Sequence, residues 1–171
     1  LAIRYYLYVN SMYLTMYLLS FSIESECGLS RAASEIHNSI FIVNTVTSDF
    51  INNSVIAVTQ SKNSPVMREY LTEDFSTLSI MKKDRYSLIY GIKKSHGIIG
   101  AIEKNGGIPI YPLIANNGSE SFDSVVMNKE VIDKILAEVE KHNKIEKFEV
   151  TNAGSADLPV SSLLLPRYSG L

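Results

Sequence analysis

The chain has 171 residues, which suits one domain or two small ones and excludes a large multidomain enzyme. Its 16 Lys and Arg against 18 Asp and Glu leave a net charge of −2, which argues against a chain dedicated to a nucleic-acid backbone. A hydrophobic fraction of 46% with 20% charge excludes wholesale disorder, a single Cys27 excludes a disulfide framework or Cys-cluster zinc site, and with 3 His a metal centre would have to lean on carboxylates.

Residues 1–23 (LAIRYYLYVNSMYLTMYLLSFSI) resemble a membrane or signal segment at first sight. A spanning helix needs about 20 predominantly apolar residues, whereas this run carries Asn10, Ser11, Thr15, Ser20, Ser22 and several tyrosines. Nor does it end in an Ala-x-Ala-like cleavage site. The mix of Tyr, Met, Thr and Ile predicts a buried strand over 12–25, so no membrane partner and a cytoplasmic location are expected. Residues 1–60 carry only Arg4, Arg31, Glu24, Glu26, Glu35 and Asp49 as charges, so this part is expected to be buried or partly an interface.

Ser30 is placed to cap a short helix with Ala33 and Ile36 inside. Residues 39–46 (SIFIVNTV) and 54–60 (SVIAVTQ) read as strands joined by a turn near Asn52-Asn53. Ser64 as N-cap, with Pro65 at the first helical position, predicts a helix through Asp74, followed by a strand over Thr77 to Met81. Tyr86 to Ile92 is a strand. Ser95 then caps a helix whose Ile98, Ile99 and Ile102 face inward, and Gly106-Gly107 stops it. Residues 108–114 (IPIYPLI) and 120–126 (ESFDSVV) are strands joined by Asn116-Asn117-Gly118-Ser119, because Asn-Gly tolerates the positive φ of a tight hairpin. Pro109 and Pro112 lack an N–H, which predicts an edge strand or an irregular start. Residues 128–142 (NKEVIDKILAEVEKH) give an amphipathic helix capped by Asn128, with Val131, Ile132, Ile135, Leu136 and Val139 on one stripe. The alternating KIEKFEVT over 144–151 is a half-exposed strand.

The order strand, helix, strand, strand, helix, strand therefore occurs twice. Placing Cys27-Gly28-Leu29 over His96-Gly97-Ile98, an offset of 69, keeps later elements in step. The expected fold is α+β, built of two tandem ferredoxin-like (βαββαβ) halves with antiparallel sheets. The halves span 1–83 and 84–154, with a tail at 155–171. The plain alternative is one larger α+β domain whose halves match by chance.

SHGIIGAIEKNGGIPIYPLI resembles an ACT domain, a small ferredoxin-like module that binds amino acids or similar metabolites, and SECGLSRAASEIHNSIFIVNTV is a weaker copy of that pattern. The longer stretch from Tyr86 to Val150, with IPIYPLIANNGSES followed by a helix and a short strand, resembles the N-terminal region of archaeal helix-turn-helix regulators of the bacterio-opsin activator type. In that family a lone Cys before a short helix also occurs early, as Cys27 does here. The resemblance implies a regulatory sensing module of a transcription regulator, not an enzyme, with a small-molecule effector and no resident cofactor. The family's helix-turn-helix should follow near residue 158, but the 14 residues LPVSSLLLPRYSGL are too few for it, so DNA contact is expected only through a segment outside this chain. Two other readings stay open: a free-standing ACT-like metabolite-binding or interaction module, and an enzyme built on a ferredoxin-like sheet.

The resemblance points to Cys27, Gly28, His96 and Gly97 as ligand-binding residues, because Gly lets the backbone approach a ligand and a helix start offers free N–H groups. Asn117 and Glu120 near the hairpin are further candidates, with Asp123 beside them; turn chemistry is the plain alternative throughout. No residue set recommends itself as catalytic or as a metal site. A Cys27–His96 nucleophilic pair lacks any argued orienting group or oxyanion hole. Lys82, Lys83, Arg85, Lys93 and Lys94 against Asp84 make a local +4, read first as a solvated face. Tyr5, Tyr6, Tyr8, Tyr13 and Tyr17 sit in a charge-poor segment, and a homodimer is expected in which residues 5–23 contribute to the contact.

Overall fold

A computed structural model describes residues 16–47, 52–60 and 63–152. Tyr5, Tyr6, Tyr8 and Tyr13 lie outside the described residues, as does the tail expected from 155 onward.

Twelve elements follow in order: β1 (Tyr17–Glu24), α1 (Gly28–Glu35), β2 (Ile40–Thr47), β3 (Asn52–Thr59), α2 (Ser64–Asp74), β4 (Phe75–Lys83), β5 (Tyr86–Lys94), α3 (Ile98–Lys104), β6 (Ile108–Asn116), β7 (Ser119–Val126), α4 (Lys129–Glu140) and β8 (Ile145–Asn152). Local chemistry sets most of these boundaries. The Asn128 side chain accepts a 3.0 Å hydrogen bond from the Val131 N–H, satisfying a donor that the first turn of α4 leaves unpaired. Pro65 stands in the first turn of α2, where its missing N–H costs nothing, although Asn63 rather than Ser64 is the N-cap. Gly118, at φ +71, turns β6 into β7.

All eight strands of the described residues join one antiparallel sheet in the order β4-β5-β3-β2-β6-β7-β1-β8. Sequence neighbours are not always spatial neighbours: β5 runs between β3 and β4, and β1 runs between β7 and β8. Read from either edge, the two halves of the sheet list the same kinds of strand, with the first strand of each half lodged in the other. At the centre, β2 and β6 pair only through Ile40–Ala115, Phe41–Ile114 and Ile42–Leu113.

Alternation with period two decides which strand residues turn inward. In β3 these are Asn53, Val55, Ala57 and Thr59; in β5, Ser87, Ile89, Gly91 and Lys93; in β7, Glu120, Phe122, Ser124 and Val126. They meet the helices in one apolar cluster, where Phe21 of β1 and Phe122 of β7 stack with centroids 5.3 Å apart. Leu19, Ile40, Leu71, Ile89, Ile102 and Ile135 are fully buried there. At roughly 1.5–3 kcal/mol for each such side chain, this cluster is the main term holding the sheet to its helices.

Two expectations are corrected by this architecture and a third is narrowed. The strand carrying Pro109 and Pro112 is not at an edge but lies between β2 and β7; its ladder is irregular between Ile110 and Ile114, where Pro112 falls, while Pro109 stays in register opposite Ser124. In the described part of the N-terminal segment, β1 is an internal strand, and Leu19, Phe21 and Ile23, at most 3% exposed, are not available to a contact, whereas Met16 is 41% exposed. The short first helix starts at Gly28, so Ser30 lies within it and Cys27 takes the capping position.

Candidate functional site

Two turns, each leading from a strand into a helix, are built alike. The Cys27 N–H donates to Ser25 Oγ at 3.3 Å, and the Gly97 N–H donates to Ser95 Oγ at 3.1 Å. Cys27 and Gly97 are thus the structural counterparts, one residue out of step with the alignment of Cys27 on His96 expected from the sequence. Gly97 needs its glycine because it sits at φ +77, in the left-handed region.

Each turn is met by an inward polar residue at the start of a strand. Asn53 of β3 donates from Nδ2 to Ser95 Oγ at 3.3 Å, and Glu120 of β7 accepts from the Cys27 thiol, Sγ to Oε1, at 2.7 Å. Ser30 Oγ lies 3.7 Å from the same sulfur and donates to the Ser119 carbonyl at 3.3 Å. Burial is the first cause that raises the Cys27 pKa above the ordinary thiol value, and the negative charge of Glu120 is the second. The sulfur is therefore a protonated donor and a poor nucleophile, which counts against a Cys–His catalytic pair.

The turn after β1 and the ends of α2 and β5 converge although their strands lie far apart in the sheet. The Gly28 N–H donates to Asp74 Oδ2. A Cβ on Gly28 would stand 2.6 Å from the Tyr70 carbonyl oxygen, so only glycine permits this approach of α1 to α2. Arg31 locks the same contact through Glu73 and lies 5.8 Å over the Tyr70 ring. His96 completes the corner. Its Nδ1 or Nε2, Cys27 Sγ and an Asp74 carboxylate oxygen all lie within 4.8 Å of one another. Desolvation of the ring, then the positive charge of Lys93, lower the His96 pKa, and Glu120 and Asp74 oppose this less strongly. His96 is therefore neutral at pH 7, with a free lone pair.

Between the two turns lies a cavity of about 50 Å³. Apolar side chains including Leu29, Val55, Ile99 and Phe122 form most of its wall, and Thr45, Asn53, Lys93, Lys94, Ser95, His96 and Glu120 supply its polar groups. Lys93 is only 6% exposed and Glu120 5%, so both charges are largely withdrawn from water. Lys93 has no ion-pair partner among the described residues, and Asn53 Oδ1 is a buried acceptor without a hydrogen bond there. A buried acceptor such as Asn53 Oδ1 normally has a partner, so its lack of one among the described residues marks the cavity as a candidate site.

Of the residues singled out from the sequence, Cys27, Gly28, His96 and Glu120 are thus brought together, and Gly97 shapes the opposite turn. Asn117 is exposed on the β6–β7 turn and does not line the cavity. The basic run divides: Lys82, Lys83 and Arg85 are exposed, Lys94 is exposed at the rim of the cavity, and Lys93 is buried in its wall rather than on a solvated face. Asp74 and Asn53 were missed as site residues. The alternation of β3 carries the signal for Asn53, while nothing local marks Asp74. No protein-family model, curated protein or solved structure matches this chain.

Proposed function

We propose that this chain is a sensing module that binds a small zwitterionic metabolite, of amino-acid type, in the cavity between its two strand-to-helix turns. One observation carries the reading: a buried cation, Lys93, and a buried anion, Glu120, line a single small cavity beside the unpartnered Asn53 Oδ1. A ligand carboxylate would be met by Lys93, and a ligand ammonium by Glu120 and Asn53 Oδ1. The cavity has room for about three to five water-sized occupants, which favours glycine, the smallest amino acid, over those with larger side chains. Because Lys93 and Asn53 come from one corner of the sheet and Glu120 from another, a ligand there would tie the corners together and favour one arrangement of them.

We read the fold as two ferredoxin-like halves that have exchanged their first strands, consistent with the strand order, and the activity as regulatory rather than enzymatic. The output would pass to a helix-turn-helix outside this chain, in keeping with the resemblance to archaeal regulators. Association as a homodimer belongs to the same proposal. Its contact would use the edge strands β4 and β8, the two with a single neighbour among the described strands; Phe148 of β8 is 57% exposed.

Thermal unfolding against each of the proteinogenic amino acids tests the ligand. Saturation at about 100 times Kd adds about 2.7 kcal/mol, or a rise in Tm of about 5–10 °C for a chain of this size. Small amino acids should give that rise, and Lys93→Met or Glu120→Gln should remove it. No shift with any of them would end the amino-acid reading.

A further inference from the structure

We propose that Cys27, Asp74 and His96 form a binding site for a divalent metal ion of the zinc class. This goes beyond the metabolite reading and does not rest on it, since Asp74 takes no part in the cavity wall. A thiol, a carboxylate and an imidazole come from three separate elements, the start of α1, the end of α2 and the turn after β5, and meet at one point. Among the described residues no other group of three such ligands is this close. Bond lengths of about 2.0–2.3 Å to nitrogen, oxygen and sulfur place tetrahedral zinc ligands about 3.4–3.6 Å apart. The present spacing within 4.8 Å lies about 1 Å above that, so a small inward shift of the three ligand groups completes the site.

The donor set selects the metal. One sulfur and one imidazole favour zinc or cobalt over magnesium and calcium, which take oxygen ligands. The surroundings fit as well. The Gly28 N–H holds Asp74 Oδ2 in place, the kind of outer hydrogen bond that orients metal ligands. Glu120 does not join the group, so the fourth position is left to water. Its carboxylate already accepts the Cys27 S–H, and on metal binding it takes that proton or passes it to solvent as the thiolate bonds to the ion. The corresponding corner around Gly97 has neither a cysteine nor a histidine in its turn apart from His96 itself, which is directed to the Cys27 side.

Titration of the reduced, metal-free full chain with Co²⁺ alone tests the proposal. Cobalt in this site gives the intense visible bands of a tetrahedral ion together with a thiolate-to-cobalt charge-transfer band, and one equivalent of Zn²⁺ displaces it. Cys27→Ser abolishes the charge-transfer band. Asp74→Asn and His96→Gln each weaken cobalt binding at least tenfold, whereas His142→Gln, in the exposed turn after α4, leaves it unchanged. His96 is exposed, so its variant keeps the test decisive even if Cys27→Ser fails to fold. Absence of a tetrahedral spectrum in the wild-type chain, or undiminished binding by His96→Gln, overturns the site.

Discussion

The thiol of Cys27 and the carboxylate of Glu120, 93 residues apart in the chain, are joined by a 2.7 Å hydrogen bond at the edge of the cavity. It fastens the turn after β1 to the first inward residue of β7. Both partners are buried, Cys27 at 6% and Glu120 at 5% exposed.

Replacing Lys93 with Met should stabilise the protein. A buried ammonium without an ion-pair partner costs several kcal/mol of solvation, and the methionine fills similar volume without charge. An increase of about 1–3 kcal/mol in unfolding free energy is expected from urea denaturation. The same variant should lose the thermal response to small amino acids. A fall in stability would show that Lys93 has a structural partner instead.

Gly28→Ala should destabilise by about 1–3 kcal/mol, because the added methyl meets the Tyr70 carbonyl at 2.6 Å and overpacks the α1–α2 contact. The measurement is the midpoint of urea unfolding. Gly100, where an added Cβ meets nothing within 4 Å, is the control, and Gly100→Ala within α3 should be neutral or stabilising.

Phe21→Ala should cost about 3–5 kcal/mol, since the ring is 3% exposed and stacked on Phe122. Asn128→Ala should cost only about 1 kcal/mol, the usual value for a lost helix cap. The ratio of the two, read from the same denaturation series, separates core packing from local capping.

The chain by itself should show no tight, sequence-specific binding to duplex DNA at physiological salt. Its net charge is −2, and one of the five basic residues in the most basic run is buried. Fluorescence anisotropy with labelled duplexes checks this, and specific binding in the nanomolar range would contradict it.

Much of the local structure was legible in the sequence. The cap at Asn128, the proline at the start of α2, the Asn-Gly hairpin and the period-two runs each have a cause within a few residues, and the elements fall where those causes put them. Neighbourhood in the sheet was not legible. Alternation states which face of β1 is apolar, and that face looks the same whether the strand lies beside β3 or between β7 and β8. The site divides in the same way. Cys27, His96 and Glu120 stand out by residue type beside turns, but Lys93 was hidden in a run of exposed charges. Its burial follows only when the alternation Ser87, Ile89, Gly91, Lys93 is weighed above the composition of the segment. Asp74 became a site residue through the approach of α1 to α2, a contact that no local pattern encodes.

The lodging of β1 between β7 and β8 also sets a schedule for synthesis. As the chain leaves the ribosome, β1 emerges early, yet its partners include Val126 and Asn152, which are made much later. Until then an apolar strand with Leu19, Phe21 and Ile23 waits without its ladder, while β2 and β3 can already pair. Contacts so distant in sequence slow folding, and a waiting strand of this kind is open to capture by another nascent copy. The same arrangement allows rescue: a polypeptide ending after β4 and a second one beginning at β5 each hold a strand that the other lacks, so the two made together should assemble where either alone would not.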